Sequence, residues 1–374
     1  MPARLRATLE THVAELGLDP ATHLVFADGS SVTTLQRNAP WATVYFGSRR
    51  RDPTHDALVA TLLSEGRFVL PVVQTLRDYP AQVPEALKPI NGMALAAGDR
   101  ALDAVASRVL EELRLMRGAR RVFLSYRRTD SRAAALQLFH RLERRGFVPF
   151  LDTHRVPTGT EFQGVLMDEL ADVDVVVFLD TPNALTSTWV NDELDRAGHL
   201  SVGVVQLVWP GHKRDPITEL AEPVYLDRGD FTTPSSAPLD AKSKLTRGAL
   251  DKLVNHIESV RARNLAARRA RLVETFCKAA SDQNIRFTQH PGSHINLRLA
   301  SGTVRVIPVL GHPRSEHFRN AHLDHGKRRT RRVVLLHDTL GALTRRIEHL
   351  RWLSRHLPVR TLAGCEAARW LKRA

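Results

Sequence analysis

The stretch "RRVFLSYRRTDS", Arg120 to Ser131, decides how the chain is read. Val122-Phe123-Leu124 runs straight into Ser-Tyr-Arg-Arg, with no turn residue between the apolar and the doubly cationic parts. An uninterrupted apolar run is the mark of a strand buried on both faces, as in the interior of a parallel sheet. In such a sheet ligands bind outside the carboxyl ends of the strands, so the abrupt change at Tyr126, Arg127 and Arg128 marks the edge of a candidate site.

The segments that follow repeat the alternation. A helix is expected from Ser131 to Arg145, with Ala135, Leu138, Phe139 and Leu142 at three- and four-residue spacing and Gly146 ending it. Then come the strand "FVPFLD", the loop "THRVPTGT", a helix over Glu161 to Leu170 and the strand "VDVVVFLD". A helix over Thr188 to Leu200 and the strand "VGVVQLVWP" close the block. Strands of this kind joined by helices indicate an α/β unit.

Two further blocks flank it. The first has a leading amphipathic helix, the run "THLVFA", a strand "ATVYFG", a helix over Asp56 to Glu65, a strand "RFVLPVV" and a helix near Asp99 to Met116. Its "YFGSRRRD" (Tyr45 to Asp52) echoes "FLSYRRTD" at an offset of 78 residues, a hint of duplication. The last block follows the polar segment "RGDFTTPSSAPLDAKSK". An Arg/Ala-rich helix is expected over about Asn264 to Ala280, then strands "HINLRLA" and "TVRVIPVLG" and a His-rich loop. Strand "RRVVLLHD", a helix over Gly341 to Arg355, strand "LPVRTL" and a final helix complete it. The boundaries expected are 1–117, 118–231 and 232–374.

Composition narrows the classes. The longest apolar runs are too short to span a bilayer, and the N-terminus lacks the apolar region of a secretory signal, so no membrane and a cytoplasmic setting are expected. Two cysteines, Cys277 and Cys365, give neither a disulfide framework nor a zinc motif. The net charge of +14 is read as a solvated surface, because arginine clusters recur along the chain at Arg49 to Arg51, Arg127-Arg128, Arg268-Arg269 and Lys327 to Arg329. Aromatics are 6% of residues and do not interleave with the basic runs, and there is no GxxxxGK[ST] or GxGxxG loop, so nucleic acid is not expected as a partner.

Three separated segments, "VFLSYRRTDS", "GFVPFLDTHRVPTGTEF" and "VDVVVFLDTPNALTSTWVNDEL", resemble a TIR domain in order and spacing, over roughly Arg120 to Phe231. The resemblance implies a flavodoxin-like parallel sheet in the middle of the chain, flanked by two smaller α/β domains. It also implies one of two roles. Some TIR domains are adaptors that signal by assembly; others cleave NAD+ at the nicotinamide–ribose bond, as the axon-degeneration enzyme, plant immune receptors and bacterial defence proteins do. The cleaving branch carries a glutamate closing Trp-x-x-x-Glu, matched here by Trp189 and Glu193. By similarity Glu193 is the catalytic carboxylate, and Tyr126, Arg127, Arg128, Phe162 and Trp189 contact substrate.

The chemistry is compatible with that assignment. Nicotinamide leaves NAD+ as a neutral molecule and needs no general acid, so one carboxylate beside the ribose can stabilise the oxocarbenium-like transition state. Helical spacing sets Trp189 one turn before Glu193. The expectation is therefore a NAD+ hydrolase of bacterial antiphage or stress signalling type, with NAD+ as substrate and no cofactor or metal. Its partners are expected to be its own copies through the TIR domain, another TIR protein or a trigger. The alternative is a non-catalytic TIR scaffold. His312, His317, His322 and His325, beside Glu316 and Asp324, match no metal-ligand spacing and read as a polar surface loop. His337-Asp338 at a strand end reads as a helix cap at Asp338 or Thr339.

Overall fold

The computed structural model describes residues 2–15, 18–31, 41–50, 52–95, 99–113, 115–151, 169–184, 202–214, 221–234, 236–290, 294–327, 332–339 and 344–373. The chain divides into two compact units, Met1–Gly118 and Ala119–Ala374.

In the first unit, β1 (Thr43–Phe46), β2 (Val69–Val73) and β3 (Met93–Ala94) form a parallel sheet in the order β1-β2-β3. α1 (Pro2–Glu15) packs against α3 (Asp99–Glu112), where His12 Nε2 lies 3.2 Å from Asp103 Oδ1. Between β1 and β2 runs α2 (Pro53–Ser64). Asp52 caps it by accepting from Thr54 N at 2.8 Å, with Pro53 in the first turn where a missing N–H costs nothing. Gly66, at φ +69°, turns the chain out of that helix toward β2.

The second unit opens with β4 (Arg121–Ser125), α4 (Arg128–Arg144) and β5 (Val148–Leu151). Gly146, at φ +77°, closes α4 as Gly66 closes α2. With β6 (Val175–Asp180), β7 (Gly203–Val208) and β8 (Glu222–Tyr225) these strands make an all-parallel sheet ordered β5-β4-β6-β7-β8. Numbered by chain order that is 2-1-3-4-5, the flavodoxin-like arrangement. Alternation sends Val122, Leu124, Val175, Val177 and Leu207 to one core and Phe123, Phe150, Val176 and Val202 to another, the two phenyl rings stacked at 5.6 Å. Every residue of β6 is buried, which explains its unbroken apolar sequence.

α5 (Arg247–Ser281) is a single helix of 35 residues, about 50 Å long. It begins some seventeen residues before the helix expected at Asn264, and its Thr246 cap accepts from Ala249 N. Leu250, Leu253, Val254, Ile257 and Val260 pack into the parallel-sheet core. Its later turns, with Leu272, Phe276 and Ala280 buried, serve a second sheet. That sheet is ordered β13-β12-β11-β10-β9 and comprises β9 (Arg286–His290), β10 (His294–Leu299), β11 (Gly302–Val309), β12 (Arg332–His337) and β13 (Val359–Ala363). β9, β10 and β11 are antiparallel; β11, β12 and β13 are parallel. β8 and β9 are strands beyond those expected. The segments 118–231 and 232–374 thus lie in one unit, joined by α5.

The His-rich segment is not a loop: α6 (Ser315–Lys327) occupies most of it, anchored by Phe318 and Ala321 against β12. With α7 (Thr344–His356) it covers Val309, Val333, Leu335 and Val359 of the sheet. His312 is 1% exposed, whereas His322 lies on the surface. Asp338 accepts from Gly311 N at 2.7 Å and from Arg268 Nε at 2.8 Å, while residues 340–343, where a helix capped at Asp338 or Thr339 would begin, lie outside the described residues.

Candidate functional site

The carboxyl edge of the parallel sheet is built by the ends of β4, β6 and β7. Leaving β4, the chain buries Tyr126, half-buries Arg127 and exposes Arg128. Tyr126 is 6% exposed and belongs to the core with Leu124, Ala135 and Leu138. Arg128 is exposed and has no hydrogen bond or ion pair among the described residues.

Arg127 is half-buried and directed across the sheet edge. Its Nη1 donates to Asn183 O at 2.6 Å, and its Nε lies 3.8 Å from Asp130 Oδ1. Asp130 in turn accepts from Thr181 Oγ1 at 3.0 Å, from Asn183 Nδ2 at 3.4 Å and from Thr129 Oγ1 at 2.8 Å. The first turn of α4 is thereby tied to the segment after β6. A local kink allows this: Ser131 leaves helical backbone geometry at φ −141°, ψ 21°, and its N–H donates to Arg127 O at 3.1 Å. The regular helix starts after that kink.

A second polar group lies beneath the ends of β6 and β7. Asp180, fully buried, accepts from Gln206 Nε2 at 2.7 Å and lies 3.0 Å from His212 Nε2. Arg214 Nε donates to Gln206 Oε1 at 2.7 Å, and Arg214 Nη2 to Ala221 O at 2.9 Å. These bonds fix the loop after β7 against the strand that precedes the Trp-x-x-x-Glu segment. Local pattern does not reveal them, because the partners are 26 and 32 residues from Asp180. The one local signal is an acid closing the apolar run "VVVFLD".

Of the residues expected at the site, the structure brings Arg127 and Arg128 to the sheet edge and puts Tyr126 in the core. Phe162, Trp189 and Glu193 lie outside the described residues. Among the described residues no three His, Cys, Asp or Glu side chains gather as a metal-binding group, and no helix is long and apolar enough to cross a membrane. What the described edge offers is a guanidinium held in place and a second one open to solvent, at the position where a parallel sheet accepts a ligand.

A family model described as TIR domain matches residues 122–237, and this part of the chain is a TIR domain. No curated protein matches the chain. Among solved structures, the TIR domains in the structure of the activated Roq1 resistosome directly recognizing the pathogen effector XopQ are 26% identical. That match covers 24% of this chain and 57% of the other, at a TM-score of 0.23. The chain therefore spans little more than half the length of that solved chain.

Proposed function

We propose that the TIR domain cleaves NAD+ between nicotinamide and ribose, releasing nicotinamide and ADP-ribose or its cyclised form. The observation that carries this reading is Trp189-x-x-x-Glu193, in a domain that matches the TIR family and is built on a flavodoxin-like parallel sheet. Glu193 is the carboxylate that stabilises positive charge developing at the ribose as the glycosidic bond breaks and nicotinamide departs with the bonding pair. Water then adds to the sugar carbon and loses a proton, or a hydroxyl or ring nitrogen of the same molecule closes on it.

In this reading Arg127 and Arg128 meet the pyrophosphate, for which guanidinium forks are suited. Trp189 and Phe162 pack the ribose and base. Tyr126 supports the strand end from the core. The protein acts in the cytoplasm, in bacterial defence or stress signalling, and copies assemble through the TIR domain in response to a trigger.

A non-catalytic TIR scaffold is the second reading. It is favoured by the burial of Tyr126 and by the bond of Arg127 to Asn183 O, which give the "SYRR" box a structural use of its own. The deciding experiment follows nicotinamide release by chromatography with the full chain at several concentrations, beside Glu193→Ala and Glu193→Gln. Release by wild type that rises more steeply than linearly with concentration, and is lost in both variants, supports the enzyme. No release from concentrated or crowded wild type, or full release by Glu193→Ala, overturns it.

A further inference from the structure

The positive charge of the chain is concentrated at one end. Residues 247–374 hold 26 Lys and Arg against 9 Asp and Glu, a net +17, while residues 1–246 hold 28 against 31, a net −3. This partition overturns the even spread expected from the scattered arginine clusters. A domain charged in this way attracts polyanions over long range.

The β9–β10 ribbon shows where such a partner would sit. Alternation sends Ile295 and Leu297 inward, 1% and 0% exposed, and places Arg286, Thr288 and His290 with His294, Asn296 and Arg298 on the opposite face. Antiparallel register sets Arg286 directly across from Arg298, Thr288 from Asn296 and His290 from His294. The two arginines are exposed, and neither has a hydrogen bond or ion pair among the described residues. Like charges opposite one another destabilise a strand pair, so this register is unfavourable until an anion lies between them. Beyond them, Asn296 Nδ2 lies 3.0 Å from His290 Nε2, and the imidazoles of His290 and His294 stack at 4.4 Å.

We propose that this face of β9–β10 is a nucleic-acid contact, gripping the phosphate backbone through Arg286 and Arg298 without reading sequence. Guanidinium forks match phosphate oxygens, and the neighbouring Thr288 and Asn296 supply hydrogen bonds along the same track. The face carries no apolar side chain to enter a bilayer, which separates it from a lipid-binding surface. The contact is independent of the NAD+ reading, because none of these residues lies on the TIR sheet.

The test is fluorescence anisotropy of a labelled duplex DNA with the full chain, over salt from about 50 to 200 mM. Wild type is compared with Arg286→Glu/Arg298→Glu and with Arg351→Glu/Arg355→Glu, which removes two exposed cations from α7 and leaves the ribbon intact. The ribbon variant is expected to bind at least about tenfold more weakly, and to flatten the dependence of log affinity on log salt by about 2 through the loss of two phosphate contacts. The α7 variant is expected to keep the wild-type slope. Arg298→Gln, which relieves the repulsion, should melt no lower than wild type, so that lost binding is not lost folding. The proposal fails if wild type ignores DNA at low salt, if both double variants weaken binding equally, or if the chain binds phosphatidylserine vesicles and not DNA.

Discussion

Arg261 on α5 and Asp174 at the entry to β6 meet at 2.8 Å with both side chains fully buried. Asp174 also accepts from Arg121 N, and Arg261 reaches Glu258, which pairs with Arg120. A few residues on, Arg268 donates to Val173 O at 3.0 Å and binds Asp338 at the end of β12. α5 is thus fastened by charge to the amino edge of the TIR sheet and to the carboxyl edge of the second sheet. Removing one member of such a pair strands the other in a medium that cannot solvate it, at a cost of about 3–5 kcal/mol. Asp174→Ala and Arg261→Met should each lower the unfolding free energy obtained from urea titration by that amount. The double variant should lose less than the sum. A loss under about 1 kcal/mol for either single variant would mean that the charge is not confined as the geometry implies.

His337 closes β12 beside His312 and Asp338, with Nδ1 2.7 Å from Thr339 Oγ1. Burial above all, with help from His312, lowers its pKa from the ordinary 6.5 to about 4, against an opposing pull from Asp338. Between those values the unfolded chain binds a proton that the folded one does not. Stability must therefore fall as pH drops from about 6.5 toward about 4, by at most about 3 kcal/mol. His337→Gln should flatten that part of the stability–pH curve. Parallel curves for variant and wild type would assign the acid sensitivity to other groups.

Legibility followed the burial of each element. The TIR strands are sealed on both faces, so apolar runs alone marked β4, β6 and β7, and the resemblance supplied their order. β9 reads "RFTQH" and is mostly exposed, so neither alternation nor a run betrays it. The first half of α5 was missed for a different reason. Asn255, Glu258 and Arg261 occupy core positions, and a pattern that equates burial with apolarity cannot recognise a face whose interior is ionic. The His-rich helix escaped because, among its described side chains, Phe318 and Ala321 alone are buried. At the site, the arginines after β4 were legible because polarity changes abruptly there, whereas the grouping of Asp130 with Thr181, and of Asp180 with His212, exists only after the sheet has formed.

In the first unit Gly92 leaves no room for a side chain. A Cβ would come within 2.2 Å of the Tyr79 ring and 3.0 Å of Pro71 O. The ring has little freedom to yield, since the Tyr79 hydroxyl is held at the carbonyls of Leu87, at 2.9 Å, and Ile90. Gly92→Ala should cost about 1–3 kcal/mol, and Gly92→Ala/Tyr79→Leu should recover part of it by vacating the ring position. Thermal melts of the full chain would show this. An unchanged melting temperature in Gly92→Ala would mean that the segment carrying Tyr79 moves freely.

Arg127 and Arg128 are neighbours with different surroundings, and their variants should separate. Arg128 is exposed and unengaged among the described residues, so Arg128→Ala should leave the melting temperature unchanged. If it meets the pyrophosphate, the same change raises KM for NAD+ roughly tenfold, the worth of one charge-assisted contact. Arg128→Lys should restore only part, since an ammonium cannot reproduce the two-pronged geometry. Arg127 holds Asn183 O, so Arg127→Ala should raise KM and also lower stability by about 1 kcal/mol through loss of the tie between β4 and the segment after β6. Kinetics and melting measured on the same preparations distinguish these outcomes. A stability loss without a KM change in Arg127→Ala, together with a silent Arg128→Ala and an inactive Glu193→Ala, would place the pyrophosphate away from the end of β4 and leave the "SYRR" box a purely structural role.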